Sequence, residues 1–212
     1  MQGYVWYFVA AIAIGYICGC CQSGYFVGKL CGLDIRRYGS GNAGTTNVLR
    51  TLGKGRALMT FLGDALKGFI PVLIVKLWIG PAHPDLNSEL LQLILGLAVV
   101  LGHDYPFFLN FKGGKGIATS AAVMMAFDWR IGLCSFIIFV GIVAVTRYVS
   151  LASVTLSAAL IVEMLIFHWG RWDLLAVTVV YAFFAIYRHR ANIKRLIDGT
   201  ESKLGQKVDV KK

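Results

Sequence analysis

Long apolar runs recur along almost the whole of this chain, and few folds can accommodate them. Only a helix satisfies its own backbone hydrogen bonds in lipid, and crossing about 30 Å of hydrocarbon takes roughly 20 helical residues. Runs 4–30, 57–80, 89–109, 149–168 and 172–187 meet or approach that length. A further apolar stretch, 117–146, is interrupted by Asp128-Trp129-Arg130. It reads either as one long helix or as two spans around a small turn, and the run 117–127 is short enough to be a half-span or re-entrant segment. With 57% hydrophobic and only 15% charged residues, and a mean hydropathy of +0.67, the chain excludes a soluble domain. The expectation is an all-α integral membrane protein of about seven transmembrane helices, with residues 1–212 as one membrane-embedded domain. Run 4–30 reads as a retained span, because it outlasts a signal-peptide core and no basic region precedes it.

Charge sets the orientation. The net charge is +10, from 21 Lys and Arg against 11 Asp and Glu. An N-terminus outside and about seven crossings bring loops 31–56, 108–116 and 147–148 and the tail from Arg188 to one side. Those segments carry Arg36, Arg37, Arg50, Lys54, Arg56, Lys112, Lys115, Arg147, Arg188, Arg190, Lys194, Arg195, Lys203, Lys207, Lys211 and Lys212. The other side keeps Arg130 and Arg171, with Lys76 near its boundary. Positive residues belong inside, so the C-terminus is expected in the cytoplasm. Treating 117–146 as one span would put the basic tail outside. The cations are scattered between apolar spans, which argues against nucleic acid and for anionic lipid or anionic substrates. The 5 cysteines show no zinc spacing and read as small buried hydrophobes. No metal or cofactor is expected.

The most distinctive polar stretch is Gly102-His-Asp-Tyr-Pro-Phe-Phe-Leu-Asn-Phe-Lys-Gly-Gly-Lys-Gly116, running on to Thr119 and Ser120. Gly113, Gly114 and Gly116 let backbone approach a ligand closely. Lys112 and Lys115 bring two cations to the same turn, and a helix begins there. Glycine N–H groups, lysines and a helix N-terminus describe an anion site, most simply for phosphate. The Walker A spacing is absent. A charged connector between spans is the plainer reading of the stretch alone. His103 is suited either to polarise a substrate or to hold a backbone carbonyl.

Two further stretches fall on the same side. Gly39-Ser40-Gly41-Asn42-Ala43-Gly44-Thr45-Thr46-Asn47-Val48-Leu49-Arg50 matches Gly-x-Gly-x-x-Gly, but a dinucleotide fold needs a βαβ unit that membrane helices exclude. Its hydroxyls and amides, with Arg50 nearby, suit an oxyanion. Arg188-His189-Arg190-Ala-Asn192-Ile-Lys-Arg195 places His189, Asn192 and Arg195 three apart, on one helical face. A polybasic segment gripping lipid is the ordinary alternative, but a His and an Asn are unexpected within it. Within the second span, Asp64 and Lys67 are also three apart, and an internal pair locking helices together explains them somewhat better than chemistry does. His168-Trp-Gly-Arg-Trp-Asp173 matches a His-x-x-x-x-Asp acyltransferase signature. The topology puts it on the outer face, where it reads as an interfacial Trp-rich turn.

These three glycine-rich and basic stretches, with Glu201 and Asp64-Ala-Leu-Lys67-Gly68, resemble the bacterial acyl-phosphate:glycerol-3-phosphate acyltransferase family, PlsY, over nearly the whole chain. The family's first motif often has Pro-Gly-Ala-Thr-Asn where this chain has Ala43-Gly-Thr-Thr-Asn47. The resemblance implies a multi-pass protein of the bacterial cytoplasmic membrane, with its active site facing the cytoplasm. It implies acyl transfer from a long-chain acyl phosphate to the 1-hydroxyl of glycerol-3-phosphate, with no obligate protein partner. Ser40, Arg50, Lys112 or Lys115, His189 and Asn192 are then the residues expected to carry substrate contacts or chemistry. Gly41, Asn42, Thr46, Asn47, His103, Gly113, Gly114, Gly116, Thr119, Ser120, Arg188 and Glu201 are expected to contact substrate or phosphate. Both substrates are anions, so Arg, Lys, Asn and glycine N–H groups can orient them and stabilise an oxyanion. Direct attack by the glycerol hydroxyl needs no acyl-enzyme. The proton goes to His189, His103 or the departing phosphate, and the last is favoured, with His189 orienting a substrate. A transporter of a phosphorylated metabolite is the alternative. The lack of an inverted repeat and the clustering of polar groups on one side count against it.

Overall fold

The computed structural model describes residues 2–206, so Lys207, Lys211 and Lys212 of the basic tail lie outside the described residues. Helices run from Val5–Cys20 (α1), Ser23–Leu30 (α2), Thr45–Leu52 (α3) and Lys54–Ile74 (α4) to Ser88–Asp104 (α5) and Ile117–Phe127 (α6). Trp129–Thr146 (α7), Val149–Phe167 (α8), Trp172–Arg188 (α9) and Arg190–Ile197 (α10) follow, and a π-helical turn at Val75–Ile79 and a short turn at Gly80–Ala82 extend α4. Among the described residues, 5 helical stretches are long and apolar enough to cross a membrane: Val5–Leu30, Lys54–Ala82, Ser88–Leu109, Trp129–Thr146 and Val149–Phe167. The pair α9–α10, bent by 57°, makes a sixth, and α6 is a shorter apolar helix. Large apolar side chains such as Trp6, Ile17, Phe136 and Phe183 stand exposed around the bundle, where lipid rather than water covers them.

Local chemistry explains the breaks. The first span is continuous in sequence but opens at Cys21-Gln22, where the Cys21 carbonyl turns to accept from Lys67 Nζ at 2.6 Å. Gln22, fully buried, donates to the His103 carbonyl at 2.7 Å. Stretch 31–56 is more than a loop: it contains a 3-10 turn at Ile35–Arg37 and the amphipathic α3. The 117–146 stretch breaks at Asp128, whose carboxylate caps the N-terminus of α7 through Arg130 N. Gly132 then packs against Met125, so α6 and α7 form a hairpin. At α6's 11 residues, the rise is only about 16 Å.

α1 lies along α5, with Gly15-x-x-x-Gly19 at the contact. A Cβ on Gly19 would sit 2.0 Å from the Val99 carbonyl oxygen, so only glycine permits this approach. α4 packs on α6, α7 on α8 and α8 on α9. The core joins Val72, Leu93, Val123, Met124, Leu160 and Tyr181, whose hydroxyl donates to the Leu93 carbonyl. One end of the bundle collects Asn87, Glu89, Asp128, His168, Arg171 and Asp173. There His168 binds Asp128 at 3.0 Å while Asp173 is held by Arg171 and Asn87. His168 and Asp173 thus have separate partners and form no catalytic pair. α5 starts at this end and finishes at Asp104, and α6 runs back from Gly116, so the three glycine-rich and basic stretches meet at the opposite end.

Candidate active site

A single cavity of about 690 Å³ runs from that end down between α4, α6, α7 and α8. Its polar end is assembled from three distant parts of the chain. Ser40, Asn42, Thr46, Asn47 and Arg50 come from the first stretch, His103, Lys115 and Gly116 from the second, and His189, Asn192 and Glu201 from the third. The rest is apolar, with Phe61, Leu66, Phe69, Ala122, Phe136 and Phe139 among its walls.

The first stretch is folded around one amide. Asn47, almost fully buried, accepts from Ser40 N at 2.9 Å and donates to the carbonyls of Ile35, Tyr38 and Asn42. A Cβ on Gly39, which has φ +58°, would lie 2.3 Å from the Asn47 oxygen, so the turn needs glycine there. Asn47 therefore shapes the loop with its hydrogen bonds, while Ser40 is left at the cavity wall. Gly44 and Gly116 cap α3 and α6 without any side-chain hydrogen bond. The first-turn N–H groups of two helices are thus available beside the cavity, where they favour an anion.

Cations complete this end. Arg50 gives one N–H to the Ser202 carbonyl at 3.0 Å, and its buried Nε has no partner among the described residues. Lys115 donates to the Asn192 side-chain oxygen. Asn192 donates in turn to Glu201 at 2.7 Å, and Arg195 grips the other carboxylate oxygen at 2.7 Å. Burial, helped by Arg195, Arg188 and Arg50, pushes Lys115 down to about 8, against the opposing pull of Glu201. Burial alone would raise Glu201, but its hydrogen bonds to Asn192 and Arg195 hold it below its ordinary value. His189 gives Nδ1–H to the Ala185 carbonyl at 2.8 Å, because a carbonyl can only accept. In the neutral ring Nε2 is then a bare acceptor.

Several expected contacts go elsewhere. Arg188 is spent on the glycine turn, donating to the Gly113 and Gly114 carbonyls and lying over the Tyr105 ring. Gly113 and Gly114 do not line the cavity: their role is close packing, since a Cβ on Gly114 would sit 1.8 Å from His103 Nε2. Thr119 donates inward to the Asp64 carbonyl at 2.9 Å, and Ser120 is buried on a face of α6 away from the cavity. Lys112 and Gly41 line a separate, neighbouring cavity. His103 accepts at Nδ1 from Lys67 Nζ at 2.7 Å, and that ammonium also meets Asp64 at 2.9 Å and Cys21. Its ring is therefore part of an internal lock joining α4 to α5, although one side faces the cavity. Sequence reasoning missed Ser150 and Ser153, which line the cavity with Thr45 of the first stretch. The spacing of Ser150, Ser153 and Ser157 along one face of α8 was the available signal. It also assigned nothing to Asp104, a fully buried carboxylate with neither oxygen hydrogen-bonded among the described residues.

Fold and cavity together define a polytopic membrane protein with one anion-holding end and one apolar groove, the arrangement a lipid-modifying transferase needs. A profile described as "Glycerol-3-phosphate acyltransferase" matches residues 9–199. The chain belongs to the glycerol-3-phosphate acyltransferase family of integral membrane enzymes. It is 46% identical over 206 residues to the glycerol-3-phosphate acyltransferase of Thermoanaerobacter sp. (strain X514), covering 97% of this chain and 100% of that one. It is 42% identical to that of Clostridioides difficile (strain 630), over 96% and 98% of the two chains. The crystal structure of PlsY, an integral membrane glycerol 3-phosphate acyltransferase, in its glycerol 3-phosphate form superposes with a TM-score of 0.84 at 39% identity, over 93% and 96% of the chains. The lysophosphatidic acid form gives 0.81 at 38%, over 94% and 96%. Family membership sets the transporter reading aside.

Proposed function

We propose that this enzyme transfers a fatty acyl group from an acyl phosphate to the 1-hydroxyl of glycerol-3-phosphate, releasing lysophosphatidic acid and inorganic phosphate. One observation carries the reading: a single cavity joins Arg50, Lys115, His189 and Asn192 to an apolar groove between α4, α6 and α7. A substrate with an anionic head and a fatty tail suits both halves. The glycerol hydroxyl oxygen attacks the acyl carbonyl, the carbonyl–phosphate C–O bond breaks, and the hydroxyl proton leaves with the phosphate. His189 Nε2 accepts a hydrogen bond from the neighbouring 2-hydroxyl of the acceptor and orients it, which leaves the proton of the attacking 1-hydroxyl to the phosphate. Lys115, Arg50 and the first-turn N–H groups of α3 and α6 stabilise the developing oxyanion and the phosphates. Of the two lysines in the glycine turn, Lys115 takes this role. Asn192 and Glu201 hold Lys115 in place, and Ser40, Asn42 and Thr46 contact the acceptor.

The same reading places about seven membrane segments in one domain, counting α6 as one that need not cross fully, with the N-terminus outside and the C-terminus inside. The polar end of the cavity, beside Arg50, Lys115 and Arg195, then opens to the cytoplasm at a bacterial inner membrane. The test is product formation by purified protein in detergent. Phosphate release that requires both acyl phosphate and glycerol-3-phosphate is the expected result. Turnover with acyl thioesters but none with acyl phosphate would remove the donor assignment and leave the acceptor standing.

A further inference from the structure

A second basic cavity, of about 320 Å³, lies beside the active site and is lined by Asp34, Arg36, Arg37, Gly41 and Lys112. Ser40 faces the first cavity and Gly41 the second, so the Gly39–Gly41 turn is the wall between them. Asp34 is occupied by Arg36 through contacts at 3.0 and 2.7 Å. Arg37 and Lys112 have no hydrogen-bond or ion-pair partner among the described residues, and both are exposed. Two unpaired cations and one paired one at a concave site leave it strongly anion-seeking.

An aromatic surface continues from this cavity. Arg36 lies over the Tyr25 ring at 5.1 Å, Tyr25 meets Phe108 edge-on, and Phe108 stacks on Phe26 and touches Phe107. Phe26, Phe107, Phe108 and Phe111 are all exposed. The turn that presents Phe107, Phe108 and Phe111 is strained: Asn110 and Phe111 take φ 53° and 57°, in the left-handed region. A phenylalanine there costs energy that a glycine would avoid. Two hydrogen bonds to the Pro106 and Leu109 carbonyls, from Phe111 N and Lys112 N, fix the turn. It holds Phe111 out at 59% exposure, next to Lys112. Nothing in the acyl-transfer site uses this strain.

The geometry points to a second lipid site: Arg36, Arg37 and Lys112 bind the phosphate of an anionic phospholipid whose acyl chains lie on the phenylalanine surface. Charge complementarity selects the headgroup, and the apolar half selects a lipid over a free anion. Each exposed cation near a membrane contributes about 1 kcal/mol, or about fivefold, to anionic lipid binding.

The test uses the full chain in bilayer discs of phosphatidylcholine with and without phosphatidylglycerol, and native mass spectrometry reads retained phosphatidylglycerol. Wild type keeps the anionic lipid, while the Arg37→Gln/Lys112→Gln double variant binds it roughly 25-fold more weakly. A control of equal charge, Arg190→Gln/Lys194→Gln, changes retention little. Equal losses in the two double variants would reduce the site to general positive charge and overturn it. Displacement of the lipid by millimolar inorganic phosphate would make free phosphate the ligand and overturn the lipid assignment. Phe111→Gly relieves the backbone, so it should melt no lower than wild type yet retain less lipid. Unchanged retention would overturn the aromatic half of the site.

Discussion

Lys67 and Lys115 are two largely buried ammonium groups near the polar end of one cavity, and they do opposite things. Lys67 spends all three of its N–H groups on the protein: the Asp64 carboxylate, the Cys21 carbonyl and His103 Nδ1, at 2.9, 2.6 and 2.7 Å. Lys115 gives one N–H to Asn192, and among the described residues the other two have no partner. The difference teaches that burial alone does not mark a functional cation. What marks it is unspent donor capacity directed into a cavity.

The comparison breaks most visibly at Lys67. Lys67→Met leaves Asp64 buried without its counter-charge, so stability should fall by about 3–5 kcal/mol. Thermal melting in detergent reads the loss, and the KM of the surviving protein should stay near normal. A melt equal to wild type would mean that the lock is not structural. Lys115→Ala should show the inverse pattern, with kcat lower by roughly 10²–10³ and the melt little changed. Wild-type kinetics in that variant would reduce the glycine-lysine turn to a connector.

His189 sharpens the contrast further. If it only orients the acceptor, His189→Asn keeps a hydrogen-bonding side chain and should lose at most about tenfold, the worth of one hydrogen bond. A near-total loss, together with disappearance of an ascending limb in the kcat–pH profile, would instead make His189 the base.

The smallest effect is read in alkaline solution. Lys115, pushed down to about 8 by burial, is charged below that pH and neutral above it. Activity should therefore be level on the acid side and fall as pH rises through about 8. Glu201 pulls the Lys115 value upward, so Glu201→Gln should move this descending limb to lower pH. A limb that stays in place would separate the two groups electrostatically. A limb that survives in Lys115→Arg, whose guanidinium stays charged, would belong to another residue.

Much of this was legible in the chain itself. The spans are written in hydrophobic length, a local property, and the division of 117–146 into two segments followed from crossing parity, while the Asp128 cap that makes the break came only from the structure. The gathering of the glycine-rich stretches at one end follows from counting crossings against the positions of Lys and Arg. The pairing of Asp64 with Lys67 was visible in their spacing. Less visible was the break at Cys21-Gln22 inside a continuous apolar run. Its reason lies in Lys67 and His103, far away in sequence, which bind the freed carbonyl and the Gln22 amide.

The sequence by itself determined an all-helical membrane protein, the gathering of its glycine-rich and basic stretches at one end, and the residue types available there. Only the tertiary structure divided those residues by role. Lys112 and Lys115 are three apart in one turn, yet they face different cavities. Arg188 and His189 are adjacent, yet one clamps the Gly113 and Gly114 carbonyls and the other lines the large cavity. The physical reason is that a polar side chain's role depends on which of its donors and acceptors remain unsatisfied. The partners that satisfy them here lie in other helices: Asn192 for Lys115, Gly114 for Arg188 and Cys21 for Lys67. Local spacing records which groups can share a face, and only packing decides which of them is left free to bind.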